Sequence, residues 1–279
     1  MVKRLCLVLF LVAFALPANA FAAPVLFSAA GATAGDILTT VNDFRAALGS
    51  PNNANTAGPL ASGRREINWD GGGTANTIGG NPFEGFENIR GAEFTTPAPG
   101  TGFLQAPPSG GVDNGLAGFF SNPSYGTIFT TFSAARLFTP VGSNITDTRF
   151  SIPGTNGGTP ATVSGFGAVF ADVDLPSTTT LEFFNLLNQS LGVFNVPVAN
   201  NGLSFLGVFF NAGETVARVR ITTGNTALSS TANDGSGVDV VAMDDFIYSE
   251  PQTVVPEPAS LWLLGGGLMA VARRLRRRA

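Results

Sequence analysis

Apolar and polar residues alternate over short distances in the second half of the chain, and turn residues interrupt this pattern at close, regular intervals. Alternation with a period of two predicts strands with one face toward a core and one toward solvent. The predicted strands are residues 127–132, 147–152, 162–173, 180–187, 191–198, 203–210, 214–223 and 238–249. Segment 162–173 is apolar on both faces, so we expect it in the middle of a sheet.

The first half contains one segment with helical spacing of its apolar residues. These residues are Ile37, Leu38, Val41, Phe44 and Leu48. Asp36 is suited to cap the start, and Gly49 is suited to end the helix. We therefore predict one amphipathic helix over 36–48, packed on a sheet. A predicted strand at 64–70 follows it, and the turn-rich segment 74–115 is expected to be mostly loop with short strands.

Composition supports an all-β fold and excludes several kinds of catalytic and metal site. The 279 residues include 35 Gly and 18 Pro, which favours many short strands joined by turns. No internal repeat period is present, so one antiparallel β-sandwich domain over 24–252 is the simplest organisation. The chain has no His and a single Cys, Cys6. This excludes Ser/His/Asp and Cys/His catalysis, His-ligated zinc and disulfides within the chain.

Residues 1–23 have the pattern of a secretory signal peptide. Two basic residues open the segment, an unbroken apolar run covers 5–16, and a small-residue cleavage site lies at 18–20. Signal peptidase is expected to remove this segment, and Cys6 with it. The exported protein would then contain no cysteine.

The C-terminal segment 253–279 combines three features in a fixed order. Pro256, Glu257 and Pro258 come first, a 14-residue apolar run over 259–272 follows, and the arginines Arg273, Arg274, Arg276, Arg277 and Arg278 come last. As a helix, the run spans about 21 Å against a hydrocarbon core of about 30 Å, which is short for a permanent anchor. The arginines favour the cytoplasmic side. We therefore predict a stop-transfer element with a short transmembrane helix.

The order of Pro-Glu-Pro, apolar stretch and arginine cluster resembles the PEP-CTERM sorting tail. In that family a membrane protease-transferase, exosortase, recognises the tail, and the family occurs in Gram-negative bacteria that make exopolysaccharide. The resemblance implies cleavage near Pro256, Glu257 and Pro258, followed by transfer to the cell surface or matrix. It covers only the tail and gives no information on the chemistry of the body.

The segment 37–248 resembles bodies found on PEP-CTERM proteins, through its stretches 63–71, 165–170 and 243–246. Those bodies look like lectin-type jelly rolls. The resemblance therefore implies a jelly-roll-like antiparallel β-sandwich and leaves the activity open.

The body is acidic and contains no lysine. Between residues 24 and 255, eight arginines stand against eighteen carboxylates, which gives a formal charge of −10. Nucleic acid and anionic lipid are attracted by basic surfaces, so the body is not expected to bind either. An acidic exported protein can instead attract cations such as Ca²⁺.

Two pairs of aspartates are candidate metal ligands. Asp172 and Asp174 lie two apart on a predicted strand, so both should leave the same face, where they suit either Ca²⁺ or a solvated strand end. Asp244 and Asp245 are adjacent, so we expect only one of them, Asp245, to be buried. A buried carboxylate needs a cation, an arginine or backbone donors.

Calcium and ion pairing remain alternative explanations of the second pair. In jelly-roll sugar-binding modules and MAM-like domains, an aspartate on the final strand often joins a structural calcium site, and this pattern resembles it. Glu66 and Asp70 can supply further oxygens if their strand lies nearby. Ion pairing to an arginine explains the same residues, with Arg64, Arg65 and Arg149 as the candidates.

The aromatic residues give weak support for sugar binding. Trp69, beside Asp70, is the best candidate for a carbohydrate platform, and a buried structural tryptophan is the alternative. No spacing places two carboxylates across a cleft, as a glycosidase requires. We predict a non-catalytic protein of the cell surface or exopolysaccharide (biofilm) matrix, with exosortase, signal peptidase and possible polysaccharide as partners. The alternative is a carbohydrate-binding or carbohydrate-active jelly-roll protein.

Overall fold

The computed structural model describes residues 23–254. Outside the described residues lie the predicted signal peptide with Cys6, except for its last residue, and the predicted tail, except for its first two residues. The part of the tail that is not described contains the Pro256, Glu257 and Pro258 motif, the predicted short transmembrane helix and the arginine cluster. Within the described part of the chain, no helix is long and apolar enough to cross a membrane.

Sixteen strands and four helices make up this part of the chain. The helices are α1 (Ala34–Leu48), α2 (Glu87–Arg90), α3 (Gly115–Phe119) and α4 (Tyr125–Ile128). The strands of the first half are β1 (Val25–Gly31), β2 (Arg64–Ile67), β3 (Thr77–Gly79), β4 (Phe83–Phe86), β5 (Ala92–Thr95), β6 (Gly102–Ala106), β7 (Leu137–Val141) and β8 (Ile145–Phe150). Those of the second half are β9 (Ala161–Thr162), β10 (Gly165–Val173), β11 (Thr180–Phe184), β12 (Ser190–Asn195), β13 (Ala199–Phe209), β14 (Arg218–Thr222), β15 (Ala242–Ser249) and β16 (Gln252–Thr253).

Two antiparallel sheets form the body. The larger has the order β1-β13-β10-β15-β7-β6-β3, with β2 also paired to β15, and the smaller has the order β12-β11-β14-β8-β5-β4. A separate ladder joins β9 to β16. The prediction of an all-β antiparallel sandwich is therefore confirmed.

The larger sheet is buried on both faces, which gives the body two cores. Between the sheets lies a core rich in phenylalanine, including Phe94, Phe138, Phe166, Phe170, Phe183 and Phe246. On the other face α1, α3 and α4 cover a second core that includes Val41, Phe44, Leu104, Tyr125, Val169 and Phe205. The layers are therefore helices, larger sheet and smaller sheet.

Strand β10 shows why the apolar pattern of the second half predicts its place. Phe166, Ala168 and Phe170 point into the core between the sheets, while Val169 and Ala171 lie under the helices. It pairs with β13 on one side and β15 on the other. The prediction that 162–173 is central is confirmed for β10, although a break at Val163 and Ser164 separates it from β9.

Two local predictions need correction. Helix α1 begins at Ala34, because Thr33 is the N-cap and Asp36 forms a capping box with it. The strand predicted at 64–70 ends at Ile67, since Trp69 adopts φ +65° and leads into a 3-10 turn at Asp70–Gly72. The predicted amphipathic helix is present as α1, and the three short helices α2, α3 and α4 were not identified from the sequence.

The predicted strand 127–132 is also wrong, because part of it belongs to α4. The carboxamide oxygen of Asn122 accepts hydrogen bonds from the backbone N (3.2 Å) and hydroxyl (2.7 Å) of Ser124. The Tyr125 hydroxyl then donates to the carbonyl oxygen of Ser229 (2.9 Å). These local and tertiary bonds favour a helical turn over the alternating pattern.

Candidate functional site

The aspartates of β15 lie at a β-bulge. Strand β15 pairs with β10 at Ala168↔Phe246 and next at Phe170↔Met243, so Asp244 and Asp245 together oppose one residue. A bulge breaks the alternation of side chains. Consequently both carboxylates reach groups on the helix side of the sheet, and both are buried. The prediction that only Asp245 is buried is wrong, because Asp244 is 0% exposed and Asp245 is 4% exposed.

These aspartates also lie where the edge of β15 changes partner. Strand β2 pairs with Phe246–Ser249, and β7 pairs with Met243. The carbonyl oxygen of Asp244, between the two partners, accepts a hydrogen bond from the indole N–H of Trp69 (3.0 Å). The gap between β2 and β7 is thus filled by side chains.

One serine hydroxyl joins three carboxylates at this position. The Oγ of Ser133 lies 2.9 Å from Asp70 Oδ2, 2.7 Å from Asp245 Oδ1 and 3.3 Å from Asp244 Oδ1. We call Asp70, Asp244 and Asp245 with Ser133 the serine-bridged cluster. Backbone N–H groups complete it: those of residues 132 and 133 donate to Asp244 Oδ2 (2.7 and 3.3 Å), and that of Arg136 donates to Asp70 Oδ1 (2.9 Å).

Burial disfavours the charged forms of the two β15 aspartates in the serine-bridged cluster. Burial first, and then the negative charge of Asp245, raise the pKa of Asp244 well above its usual value. Burial also raises the pKa of Asp245, while its hydrogen bonds to Ser133 and Asp244 and the charge of Arg45 oppose the rise. The surroundings therefore favour the neutral form more strongly in Asp244 than in Asp245, whose ionised form is supported by Ser133 and Arg45.

The arginine that approaches this cluster is Arg45 of α1. Its guanidinium lies 3.6 Å from Asp245 and donates to Glu66 Oε2 (2.7 Å). The three arginines expected from the sequence do not serve this role: Arg64 pairs with Glu66, Arg65 pairs with Glu250, and no ion pair found within residues 23–254 includes Arg149. Arg45 is the only basic residue of α1, and this was the sequence feature that could have identified it as the partner of a buried aspartate.

Trp69 lies inside the molecule. It is 1% exposed, and its ring stacks on Phe138 with centroids 3.8 Å apart. In this position the ring cannot present a face to a sugar. The arrangement corresponds to the buried structural alternative rather than to the carbohydrate platform. Glu66, 14% exposed at its side chain, is held by Arg45 and Arg64 and makes no hydrogen bond to the serine-bridged cluster.

A second acidic cluster forms at the end of β10. The side chains of Asp172, Asp174 and Asp234 each place one carboxylate oxygen within 4.8 Å of the other two. We call these three residues the strand-end cluster. Sequence analysis identified Asp172 and Asp174 but missed Asp234. Asp234 belongs to the long connection between β14 and β15, and no spacing links it to β10.

The strand-end cluster contains buried oxygens without partners. Asp172 is 0% exposed, and its Oδ1 accepts a hydrogen bond from the backbone N–H of Asn201 (2.7 Å). When the three carboxylates are ionised, no group in the described residues donates a hydrogen bond to Asp172 Oδ2, Asp174 Oδ1 or Asp234 Oδ1. Burial raises the pKa of Asp172 to about 8, and burial with the neighbouring Asp174 raises the pKa of Asp234 to about 6.

The C-terminal end of the body is fixed to the sandwich. Buried Arg65 donates to both carboxylate oxygens of buried Glu250 (2.5 and 2.7 Å). Gln252 donates to the carbonyl oxygen of Leu60 (2.7 Å), and β16 then ends at Thr253. A PEP-CTERM protein-sorting motif matches residues 254–278. The last strand of the body thus ends directly before the motif.

This motif indicates how the chain is sorted. A PEP-CTERM protein is exported, is held transiently in the membrane and is processed there by exosortase. Comparison with curated proteins and with solved structures finds no significant match. The motif therefore identifies the route, and the role of the body has to be argued from its own residues.

Proposed function

We propose that the protein is a non-catalytic structural component of the Gram-negative cell surface or of its exopolysaccharide matrix. The observation that carries this proposal is the direct junction between body and sorting motif. Thr253 is still part of a strand, and Pro256 follows three residues later. Three residues of chain reach at most about 10 Å, so the processed end stays next to the body.

The contacts at this junction favour an attachment that resists mechanical force. Glu250 directly follows β15, the strand at the centre of the larger sheet, and it is held by Arg65 and by the side-chain amide of Asn53 (2.9 Å). A buried arginine–carboxylate pair with two parallel hydrogen bonds has a fixed geometry. A pull on the attached end is therefore transmitted to the central strand of the sandwich rather than to a loop.

Processing at the motif can be tested in the producing cells. The wild-type chain and Glu257→Ala are compared by mass spectrometry of surface and membrane fractions, with Glu214→Gln in the body as a control. We expect surface protein from the wild type and the control to end near Pro258, and Glu257→Ala to stay in the membrane. Surface peptides extending through Arg273 in stoichiometric amount would contradict the processing step.

A cleft on the body supports carbohydrate binding as the second candidate function. It has a volume of about 360 Å³, and its lining combines apolar residues such as Phe150 and Leu186 with the polar side chains of Arg149, Asn185, Asn188 and Arg218. Guanidinium and carboxamide groups can bind sugar hydroxyls and carboxylates. Arg149 is exposed beside the cleft, so it is available to a ligand.

A glycan array with the full-length chain in non-ionic detergent separates the two functions. Binding that is lost in Arg149→Ala and retained in Glu214→Gln would establish the carbohydrate function at this cleft. If the array shows no binding, the structural role remains the proposed function. Release of shortened glycan products from any bound polysaccharide would contradict the non-catalytic assignment.

A further inference from the structure

The strand-end cluster contains carboxyl oxygens that are buried without a hydrogen-bond donor in the described part of the chain. Asp172 Oδ2, Asp174 Oδ1 and Asp234 Oδ1 are buried without a hydrogen-bond partner among residues 23–254. An unpartnered buried carboxylate oxygen is costly, and three of them close together repel one another when ionised. The side chain of Asp172 is fully buried, so solvent cannot relieve this cost.

The arrangement of the three oxygens fits one cation. They all lie within 4.8 Å of one another. Oxygen ligands bind Ca²⁺ at about 2.3 to 2.6 Å, so ligand atoms around one ion lie at most about 4.6 to 5.2 Å apart. All three carboxylates can therefore contact a single Ca²⁺.

No basic side chain competes for this position. The ion pairs found within the described residues include none of the three aspartates. The raised pKa values of Asp172 and Asp234 have the same physical origin, since burial and neighbouring carboxylates disfavour the charged forms. A cation removes that penalty for all three carboxylates at once.

Neighbouring residues hold the ligands in place. Asp239, which is fully buried, accepts hydrogen bonds from the backbone N–H of Asp174 (3.1 Å) and from the Thr178 hydroxyl. Asn225 in turn accepts a hydrogen bond from the backbone N–H of Asp239 (2.9 Å). Such supporting hydrogen bonds are typical of metal sites, because they fix the positions of the ligands.

From this geometry we infer that Asp172, Asp174 and Asp234 bind one Ca²⁺ ion, which joins the end of β10 to the connection between β14 and β15. The same connection is held to the helix layer by Asn122, which donates to the carbonyl oxygen of Ala232 (3.1 Å). The ion would therefore link the larger sheet to the loop that packs on α4. Calcium sites of extracellular modules commonly have dissociation constants of about 10⁻⁴ to 10⁻³ M.

The test measures calcium binding and thermal stability of the full-length chain in non-ionic detergent. Metal is first removed with chelator, and Ca²⁺ or Mg²⁺ is then titrated while binding is followed by calorimetry and unfolding by circular dichroism. Asp234→Asn is the main variant, because Asp172 also holds the backbone of Asn201. Glu214→Gln is the matched control, since Glu214 Oε2 is likewise buried without a partner but lies outside the cluster.

We expect one Ca²⁺ per wild-type chain, a rise in Tm on adding Ca²⁺, and tighter binding of Ca²⁺ than of Mg²⁺. Asp234→Asn should weaken binding by at least about tenfold and lose most of the Tm rise. In chelator the same variant should melt above the wild type, because it removes repulsion. Glu214→Gln should bind Ca²⁺ like the wild type.

Three outcomes would overturn the inference. The first is a wild-type chain with no bound metal and no Tm change at 10 mM Ca²⁺, a concentration about tenfold above the weakest common extracellular sites. The second is unchanged calcium affinity in Asp234→Asn, which would show that the ion binds at another position. The third is Mg²⁺ binding as tight as Ca²⁺ binding. Processing of the tail is unaffected by any of these results, so the proposed function is tested separately.

Discussion

The two acidic clusters contain the same chemical group in similarly buried positions, but they differ in how its oxygens are satisfied. In the serine-bridged cluster, the Ser133 hydroxyl lies within hydrogen-bond distance of the carboxylates, backbone N–H groups donate to Asp244 and Asp70, and Arg45 approaches Asp245. None of that cluster's oxygens is among the buried polar atoms without a partner. In the strand-end cluster, each aspartate retains one such oxygen.

The difference shows that burial of several carboxylates does not by itself indicate a metal site. Like charges can be accommodated by a retained proton, by hydroxyl and N–H donors, or by a cation. The segment between α4 and β7 supplies the donors for the serine-bridged cluster. The connection between β14 and β15 brings a further carboxylate, Asp234, to the strand-end cluster. The number of available donors therefore distinguishes a closed polar network from a candidate cation site.

The largest effect is expected from removing Asp244. In Asp244→Ala two partly buried backbone N–H groups, those of Phe132 and Ser133, lose their acceptor. Each unsatisfied donor costs about 1 to 3 kcal/mol, so the free energy of unfolding should fall by about 3 kcal/mol. Asp244→Asn is the control: it resembles the neutral acid, and a loss of about 1 kcal/mol or less is expected. Chemical denaturation measures both, and equal losses would contradict a protonated Asp244.

Removing the shared hydroxyl should have a smaller effect. Ser133→Ala deletes the group that contacts three carboxylates, so we expect a loss of about 2 kcal/mol in the free energy of unfolding. Ser190→Ala, at an exposed position of β12, is the control and should change little. Urea denaturation with both variants checks this. A loss no larger than that of the control would mean that the backbone donors alone satisfy the serine-bridged cluster.

The strands of the second half of the chain could be predicted because each has its own alternating or continuous apolar pattern, whereas β1 and β7 lie outside the predicted segments. Strands β8 and β10 to β15 all lie within or overlap predicted segments. The bulge was missed, although the sequence contains a signal for it. Met243 and Phe246 are apolar and three residues apart, with two aspartates between them, which breaks the period of two. That spacing indicates two residues opposite one.

The candidate sites could be predicted only in part, because tertiary contacts decide which carboxylates meet. Asp172 and Asp174 share a strand end, and their spacing identified them as a pair. Asp234 and Ser133 come from connections whose course depends on packing, through bonds such as Tyr125 to Ser229. The orientation of Trp69 depends on a positive φ that a non-glycine residue rarely adopts, so it could not be predicted from the residue pattern.

The pH dependence of the free energy of unfolding tests whether Asp244 of the serine-bridged cluster is neutral in the folded protein. Its pKa is raised in the folded state by burial and by Asp245, so the folded protein holds a proton that the unfolded chain releases above its ordinary pKa near 3.8. Stability from this group is therefore complete below that pKa and is lost as the pH rises toward the raised folded value. The slope is at most about 1.4 kcal/mol per pH unit for one proton.

The variant Asp244→Asn should remove that contribution to the slope. Unfolding is measured in chelator from pH 4.5 to 7.5 for the wild type and for the variant, so that cations do not contribute. The wild type should lose more stability with rising pH than Asp244→Asn does. Parallel curves would show that Asp244 does not retain its proton in the folded state.

The smallest effect is expected from calcium on the serine-bridged cluster, and it tests the comparison directly. If hydrogen bonds already satisfy this cluster, Asp244→Asn should show the same rise in Tm on adding Ca²⁺ as the wild type. Asp174→Asn should lose that rise, because Asp174 supplies one of the unpartnered oxygens. The measurement is thermal unfolding followed by circular dichroism, with and without Ca²⁺. The opposite result would be a calcium response that disappears in Asp244→Asn and persists in Asp174→Asn. It would show that the ion binds the carboxylates around Ser133 and that the strand-end cluster does not bind it.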